Sequence, residues 1–164
     1  MGVMINVVVL DKYIDIAKAQ IEAFKQTPFG KYRYNGVDAW KGIVAEFAFS
    51  DWAESNPNWN VEYKSKGLDT SGITDDKDLL INGKKTEVKT ATKMYYKYIM
   101  PKIHDEDKPK DIYVGCKYND TVTPNEIIIC GWMKREDVIK YPIKQNKGAP
   151  YYEVPISDLK GFNV

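Results

Sequence analysis

The chain has 164 residues, enough for one domain (residues 1–164) that buries a core without disulfide or metal staples. Its 43% hydrophobic and 29% charged residues are those of an ordinary globular protein, and a net charge of +1 excludes the overall basic excess of a histone-like binder. The lone histidine, His104 in the polar stretch IHDEDKPKD, counts against a histidine-based triad or metal site. Cys116 and Cys130 sit in apolar runs with no CxxC or zinc-ligand spacing, so both are expected to be buried, reduced thiols in a cytosolic compartment. The opening run MINVVVL leads straight into DKYID without a cleavage region, and no apolar stretch is long enough to span a bilayer.

In chain order, residues 3–10 are β-branched and apolar and read as a short strand. Asp11 then caps a helix running to about Gln26, with Ile14, Ala17, Ile21 and Phe24 at helical spacing. Pro28, Gly30 and Asn35-Gly36 make residues 27–36 a loop. A second helix runs from about Val37 to Glu54. Trp40, Ile43, Val44, Phe47, Ala48 and Trp52 form its apolar stripe, while Ala39, Gly42, Glu46, Ser50 and Ala53 form a face of small residues around one carboxylate. Another element can approach that face closely and leave Glu46 as its functional group. Asn60–Lys64 reads as a strand, and strands are expected at 111–117 and 126–132, a short helix near 134–140, and a last strand in YYEVP. Residues 92–110, rich in Lys and Tyr, fit helix or strand. Strands gathered after helices make the fold class α+β.

The sharpest segment is DLLINGKKTEVKTA. Asn82-Gly83 between two strand-like runs is a strong two-residue hairpin signal. In a type I′ turn, Ile81 faces Lys84, Leu80 faces Lys85, Leu79 faces Thr86 and Asp78 faces Glu87. Alternation then puts Asp78, Glu87 and Lys89 on one face and Leu79, Ile81 and Val88 on the core side. Two carboxylates so opposed have Cβ atoms about 4.5–5.5 Å apart, an unfavourable pairing unless a cation bridges them. Hard cations such as Mg²⁺ select oxygen ligands, and a lysine alongside can help deliver a water or neutralise phosphate charge. A solvated hairpin laced with Asp–Lys and Glu–Lys pairs, Asp76 facing Lys89 among them, gives a similar string at little energetic consequence. Acid-x-lysine alone is a weak signal. The opposed acid, the apolar far face and the upstream helix with Glu46 favour the catalytic reading.

Glu46 in GIVAEFAF, Asp78 in DLLI and Glu87-Val88-Lys89 together resemble the PD-(D/E)XK nuclease superfamily, most of all its small viral and microbial members. The resemblance covers roughly the middle of the chain, from Val37 to about Trp132. It implies a restriction-endonuclease-like core, a central mixed sheet flanked by helices in α/β/α layers, built from a helix, a three-strand antiparallel meander, a helix and a further strand. It implies that Asp78, Glu87 and the Val88 carbonyl ligate Mg²⁺, with Mn²⁺ able to substitute. Lys89 would be the motif lysine, and Glu46 a helper acid for a metal-bound water or a second metal. The implied activity is metal-dependent hydrolysis of DNA phosphodiesters in the cytoplasm, the host's for a viral protein. Lys77 stands where the motif's dispensable proline would be, and TKMYYKYIM leaves the helix after the motif strand open.

Lys85, Lys93, Tyr96 and Lys97 are the candidate DNA contacts, because lysines interleaved with aromatics suit backbone tracking and base stacking. Tyrosines packed inward beneath a solvated lysine face would read the same way. A second such cluster is Lys31, Tyr32, Arg33 and Tyr34. A homodimer is compatible with cutting two strands. The rival reading is a non-catalytic module that grips nucleic acid or a protein through its Tyr/Lys surfaces.

Overall fold

The computed structural model describes residues 4–26, 38–63, 79–103, 109–145 and 149–162. Asp76, Asp78, His104, Lys147 and the Lys31–Tyr34 cluster lie outside these residues. The chain opens with strand β1 (Ile5–Val8) and helices α1 (Asp11–Lys25) and α2 (Ala39–Glu54). Strands β2 (Val61–Tyr63), β3 (Leu79–Ile81), β4 (Lys84–Ala91), β5 (Tyr98–Ile99), β6 (Ile112–Asn119) and β7 (Glu126–Lys134) follow. A one-turn helix α3 (Arg135–Val138), strands β8 (Ile143–Lys144), β9 (Tyr151–Tyr152) and β10 (Val154–Pro155), and a 3₁₀ turn at Ile156–Asp158 complete it.

Six strands form one mixed sheet in the order β1-β7-β6-β4-β3-β2. β2, β3 and β4 are an antiparallel meander, β6 lies parallel beside β4, and β7 and β1 extend the sheet in antiparallel fashion. The fold is α+β, as the order of elements implied. Parallel pairing of β4 with β6 needs a crossover, which residues 92–111 supply.

α1 and α2 cover one face. Ala17 and Ile21 of α1 and Ile43, Val44 and Phe47 of α2 join Val88, Val114, Cys116 and Ile129 of the sheet in one core cluster. α2 is apolar almost all round and is correspondingly buried on most sides, the pattern of a helix enclosed by its own domain. The Tyr13 ring of α1 lies tilted against Phe47, with ring centroids 5.4 Å apart, and its hydroxyl donates to Asp51.

The other face departs from the expected α/β/α layering. Among the described residues it is covered by α3, the β5–β10 and β8–β9 ribbons and the C-terminal segment, with no long helix. Residues 98–99 form a strand paired with Val154–Pro155. The reason is tertiary: Ile99 is buried in one cluster with Val154, Ile156 and Tyr113, while Tyr98 and Met100 on either side stay exposed. That is a two-residue alternation, and Pro101 ends it.

The C-terminal segment presses onto this sheet at two paired glycines, Gly115 and Gly131. A Cβ on Gly131 would sit 2.4 Å from the Lys160 carbonyl oxygen, and one on Gly115 would sit 2.4 Å from Leu159 Cδ1. Backbone bonds in both directions, Trp132 N to Lys160 O (2.8 Å) and Lys160 N to Trp132 O (2.9 Å), fasten the segment there. Cys116 and Cys130 are buried and free, and burial pushes the Cys130 thiol up to about 11. No helix among the described residues is long and apolar enough to cross a membrane.

Candidate active site

The β3–β4 hairpin turns at Asn82 (φ 52°) and Gly83 (φ 79°), both left-handed, as a type I′ turn requires. The turn is tied back to the chain before β2 through Asn60, by Asn82 N to Asn60 O and by Asn60 N to Asn82 Oδ1, each 2.8 Å. It fixes the register Ile81↔Lys84, Leu80↔Lys85 and Leu79↔Thr86, the one the sequence implied. β3 is described only from Leu79, so Asp78 lies outside the described residues.

Alternation along β4 then sorts its side chains. Val88 enters the core cluster that α2 covers, with Leu79 and Ile81. Glu87 and Lys89 take the opposite face, in register with Tyr113 and Gly115 of β6. They meet there: Glu87 Oε1 lies 3.3 Å from Lys89 Nζ, with 24% and 20% of the side chains exposed. The second oxygen, Glu87 Oε2, is buried and has no hydrogen-bond partner among the described residues. Buried carboxylate oxygens are normally satisfied, and the Thr90 hydroxyl, also on β4, is likewise buried without a partner among the described residues. Tyr113, beside Glu87, accepts a hydrogen bond at its hydroxyl from Arg135 Nη1 (3.2 Å).

Glu46 is half-buried on α2, the helix packed across β4. Its small-residue face is closed over only in part: Ser50 and Ala53 are fully buried, whereas Ala39 and Gly42 are half-buried and a Cβ on Gly42 would meet nothing within 4 Å. No cluster of three or more His, Cys, Asp or Glu with metal-holding geometry occurs among the described residues.

The candidate nucleic-acid residues divide. Lys85 is exposed, and its backbone is clamped to Asp111 by Lys85 N to Asp111 Oδ2 (2.9 Å) and Asp111 N to Lys85 O (2.8 Å). Tyr96 and Lys97 are exposed too. Tyr96 stands edge-on to Tyr95 at 4.8 Å, and Tyr95 is 73% exposed, so these rings project outward. Lys93 is different: its ammonium lies 3.4 Å from Asp38, whose hydrogen bond and charge raise its pKa. Its charge is spent within the protein.

The residue that sequence reasoning passed over is Lys41, only 4% exposed. Its ammonium lies 3.3 Å from Asp38, 3.6 Å from Asp120 and 3.4 Å from the Thr92 carbonyl, and 4.9 Å from the centre of the Tyr118 ring. It binds the start of α2 to the far ends of β4 and β6. Burial raises the Asp38 pKa, but the hydrogen bonds and charges of Lys41 and Lys93 outweigh this and bring it below the ordinary aspartate value. A lysine set inside the apolar run AWKGIVAEF was the signal available, since a buried lysine needs partners.

No family model matches the chain, and neither a curated protein nor a solved structure matches it.

Proposed function

We propose that the protein is a divalent-metal-dependent nuclease that hydrolyses DNA phosphodiesters, with Glu87 and Lys89 at the centre of its site. The observation that carries this reading is the Glu87–Lys89 pair on β4: a carboxylate and an ammonium in contact, beside a carboxylate oxygen buried without a partner. The order of elements supports it. A helix bearing Glu46, an antiparallel meander and a further strand parallel to the third meander strand follow the succession of a restriction-endonuclease-like core. Among the described residues the crossover holds a short strand, Tyr98–Ile99, and no α-helix, where that core has one.

The donor set suits a hard cation. Glu87 offers an oxygen that has no partner among the described residues, the Val88 carbonyl is next to it in the chain, and Asp78, outside the described residues, is the acid the sequence pattern pairs with Glu87. These residues would hold Mg²⁺ or Mn²⁺, which acidifies bound water and neutralises phosphate charge. Lys89, fixed by Glu87, holds its ammonium where it can orient an attacking water or meet charge on a phosphate oxygen. Glu46 belongs to α2, which packs on the face of the sheet opposite Glu87 and Lys89, so the described geometry does not bring this expected helper acid to the pair. Lys85, Lys97 and Tyr96 are solvent-facing groups for the nucleic-acid strand, and Lys93, paired with Asp38, contributes less.

The test is a plasmid and oligonucleotide cleavage assay with Mg²⁺, Mn²⁺ or EDTA. Wild type is expected to cut only with metal, and Lys89→Ala to lose at least about 100-fold, the scale of one acid–base or charge-stabilising group. Equal cutting by the variant, or no cutting of DNA by wild type, refutes the reading.

A further inference from the structure

A cavity of about 460 Å³ opens at the turn end of β4, on the α2 side of the sheet. Its walls are aromatic: Phe49, Trp59, Trp132 and Phe162. Trp59 and Phe162 are held in a cluster with Trp52 and Phe49, with ring centroids 5.2–5.9 Å apart, so the walls are set by packing within the fold. Two exposed lysines, Lys84 and Lys160, stand at its edge, the second 5.4 Å from the centre of the Trp132 ring. Neither lysine is in an ion pair among the described residues, whereas Lys41, Lys89, Lys93, Lys134 and Lys140 all are. The volume is that of a small-molecule site, in which a mostly apolar wall holds the body of a ligand and a few polar groups fix its orientation.

We propose that this cavity binds a nucleotide, its base against the tryptophan and phenylalanine walls and its phosphate against Lys84 and Lys160. Aromatic walls alone would accept any apolar body. Uncompensated ammonium groups beside them select a planar ring that carries an anion, because the ring stacks while the anion replaces water at the lysines. The site is separate from Glu87 and Lys89. Lys84 is three residues before Glu87, about 10 Å along the strand, and points to the other face of the sheet. A second depression of about 570 Å³ shares Lys84 and Trp132 and continues past Lys110, Asp111, Arg135 and the Lys134–Glu136 ion pair. The same chemistry can therefore come from a free nucleotide or from one within a single strand.

Tryptophan fluorescence, followed in EDTA to keep cleavage out of the measurement, tests this. The probes are deoxyadenosine 5′-monophosphate, deoxyadenosine, inorganic phosphate and a six-nucleotide single strand of deoxyadenosine. Saturable quenching by the mononucleotide or the hexamer is expected, with deoxyadenosine and phosphate each at least about tenfold weaker. Hexamer binding tenfold or more above the mononucleotide assigns the site to a strand; the reverse assigns it to free nucleotide. Lys84→Glu with Lys160→Glu, two exposed positions that leave the walls intact, should lower affinity at least about tenfold, and Trp59→Phe should retain binding with a smaller quench. No saturable quenching by either nucleotide probe, or unchanged affinity in the double variant, overturns the proposal.

Discussion

Replacing Glu87 by Gln separates function from stability at the candidate site. The carboxylate costs the fold something. Its Oε2 is buried without a partner among the described residues, and an unsatisfied buried polar atom carries a penalty of about 1–3 kcal/mol. Its other oxygen pairs with Lys89, but both side chains keep a fifth or more of their surface in solvent, so that pair returns no more than about 1 kcal/mol. Gln has the same shape and no charge: its oxygen can still accept from Lys89 while the neutral amide nitrogen takes the buried position, which costs less than burying part of a charged carboxylate. Glu87→Gln should thus leave stability unchanged or raise it by up to about 1 kcal/mol, a rise in Tm of up to about 4 °C for a domain of this size. Metal should distinguish the two proteins in the opposite sense. A cation at 100 times its Kd stabilises the folded state by about 2.7 kcal/mol, which is about 5–11 °C in Tm. Melting followed by circular dichroism in EDTA and in saturating Mg²⁺ reads both effects. Wild type is expected to gain from Mg²⁺ and the variant to gain little or nothing. A variant that melts well below wild type in EDTA would make Glu87 a structural residue. A wild type indifferent to Mg²⁺ and Mn²⁺ would remove the metal from the site.

Two further outcomes test the frame around the site. Gly131→Ala forces a Cβ to within 2.4 Å of a backbone oxygen and should cost about 2–3 kcal/mol in a urea titration, at the upper end for overpacking. Gly42→Ala in α2, with nothing within 4 Å of the added methyl, should instead gain about 0.5–1 kcal/mol; equal effects would contradict the glycine-pair docking of the C-terminal segment. Asp38 carries a lowered pKa, so its ionised form stabilises the fold in full above the ordinary value of 3.8, and that contribution fades as pH falls through the lower folded-state value. Asp38→Asn should melt at lower temperature than wild type at pH 6, with the gap narrowing below pH 4; a gap that is constant with pH would mean that the Lys41 and Lys93 pairs contribute nothing.

What could be read from the sequence was set by short-range rules. Asn82-Gly83 announced a left-handed two-residue turn, and once that turn was granted, the register of β3 on β4 and the sorting of Val88 from Glu87 and Lys89 followed from alternation alone. Helix spacing likewise placed Ala17 and Ile21 in the core. The layering on the second face was not legible, because it is decided by pairings between segments far apart in the chain. Tyr98–Ile99 becomes a strand only because Val154–Pro155 lies beside it, and nothing within TKMYYKYIM distinguishes that outcome from a helical turn. The Lys41 cluster was hidden for the same reason: Asp38 and Lys93 are separate stretches of sequence, and Asp120 comes from a third.

That cluster also bears on how the site is held. β4 carries Glu87 and Lys89 in its middle and ends at Ala91, and the next residue, Thr92, gives its carbonyl to Lys41 at the start of α2. At its other end, Lys85 is locked to Asp111 just before β6. The strand is therefore anchored on both sides of the pair, by a buried cation at one end and a backbone clamp at the other. Anchors on both sides limit how far the strand can shift, and so hold the Glu87 carboxylate and the Lys89 ammonium at a defined separation.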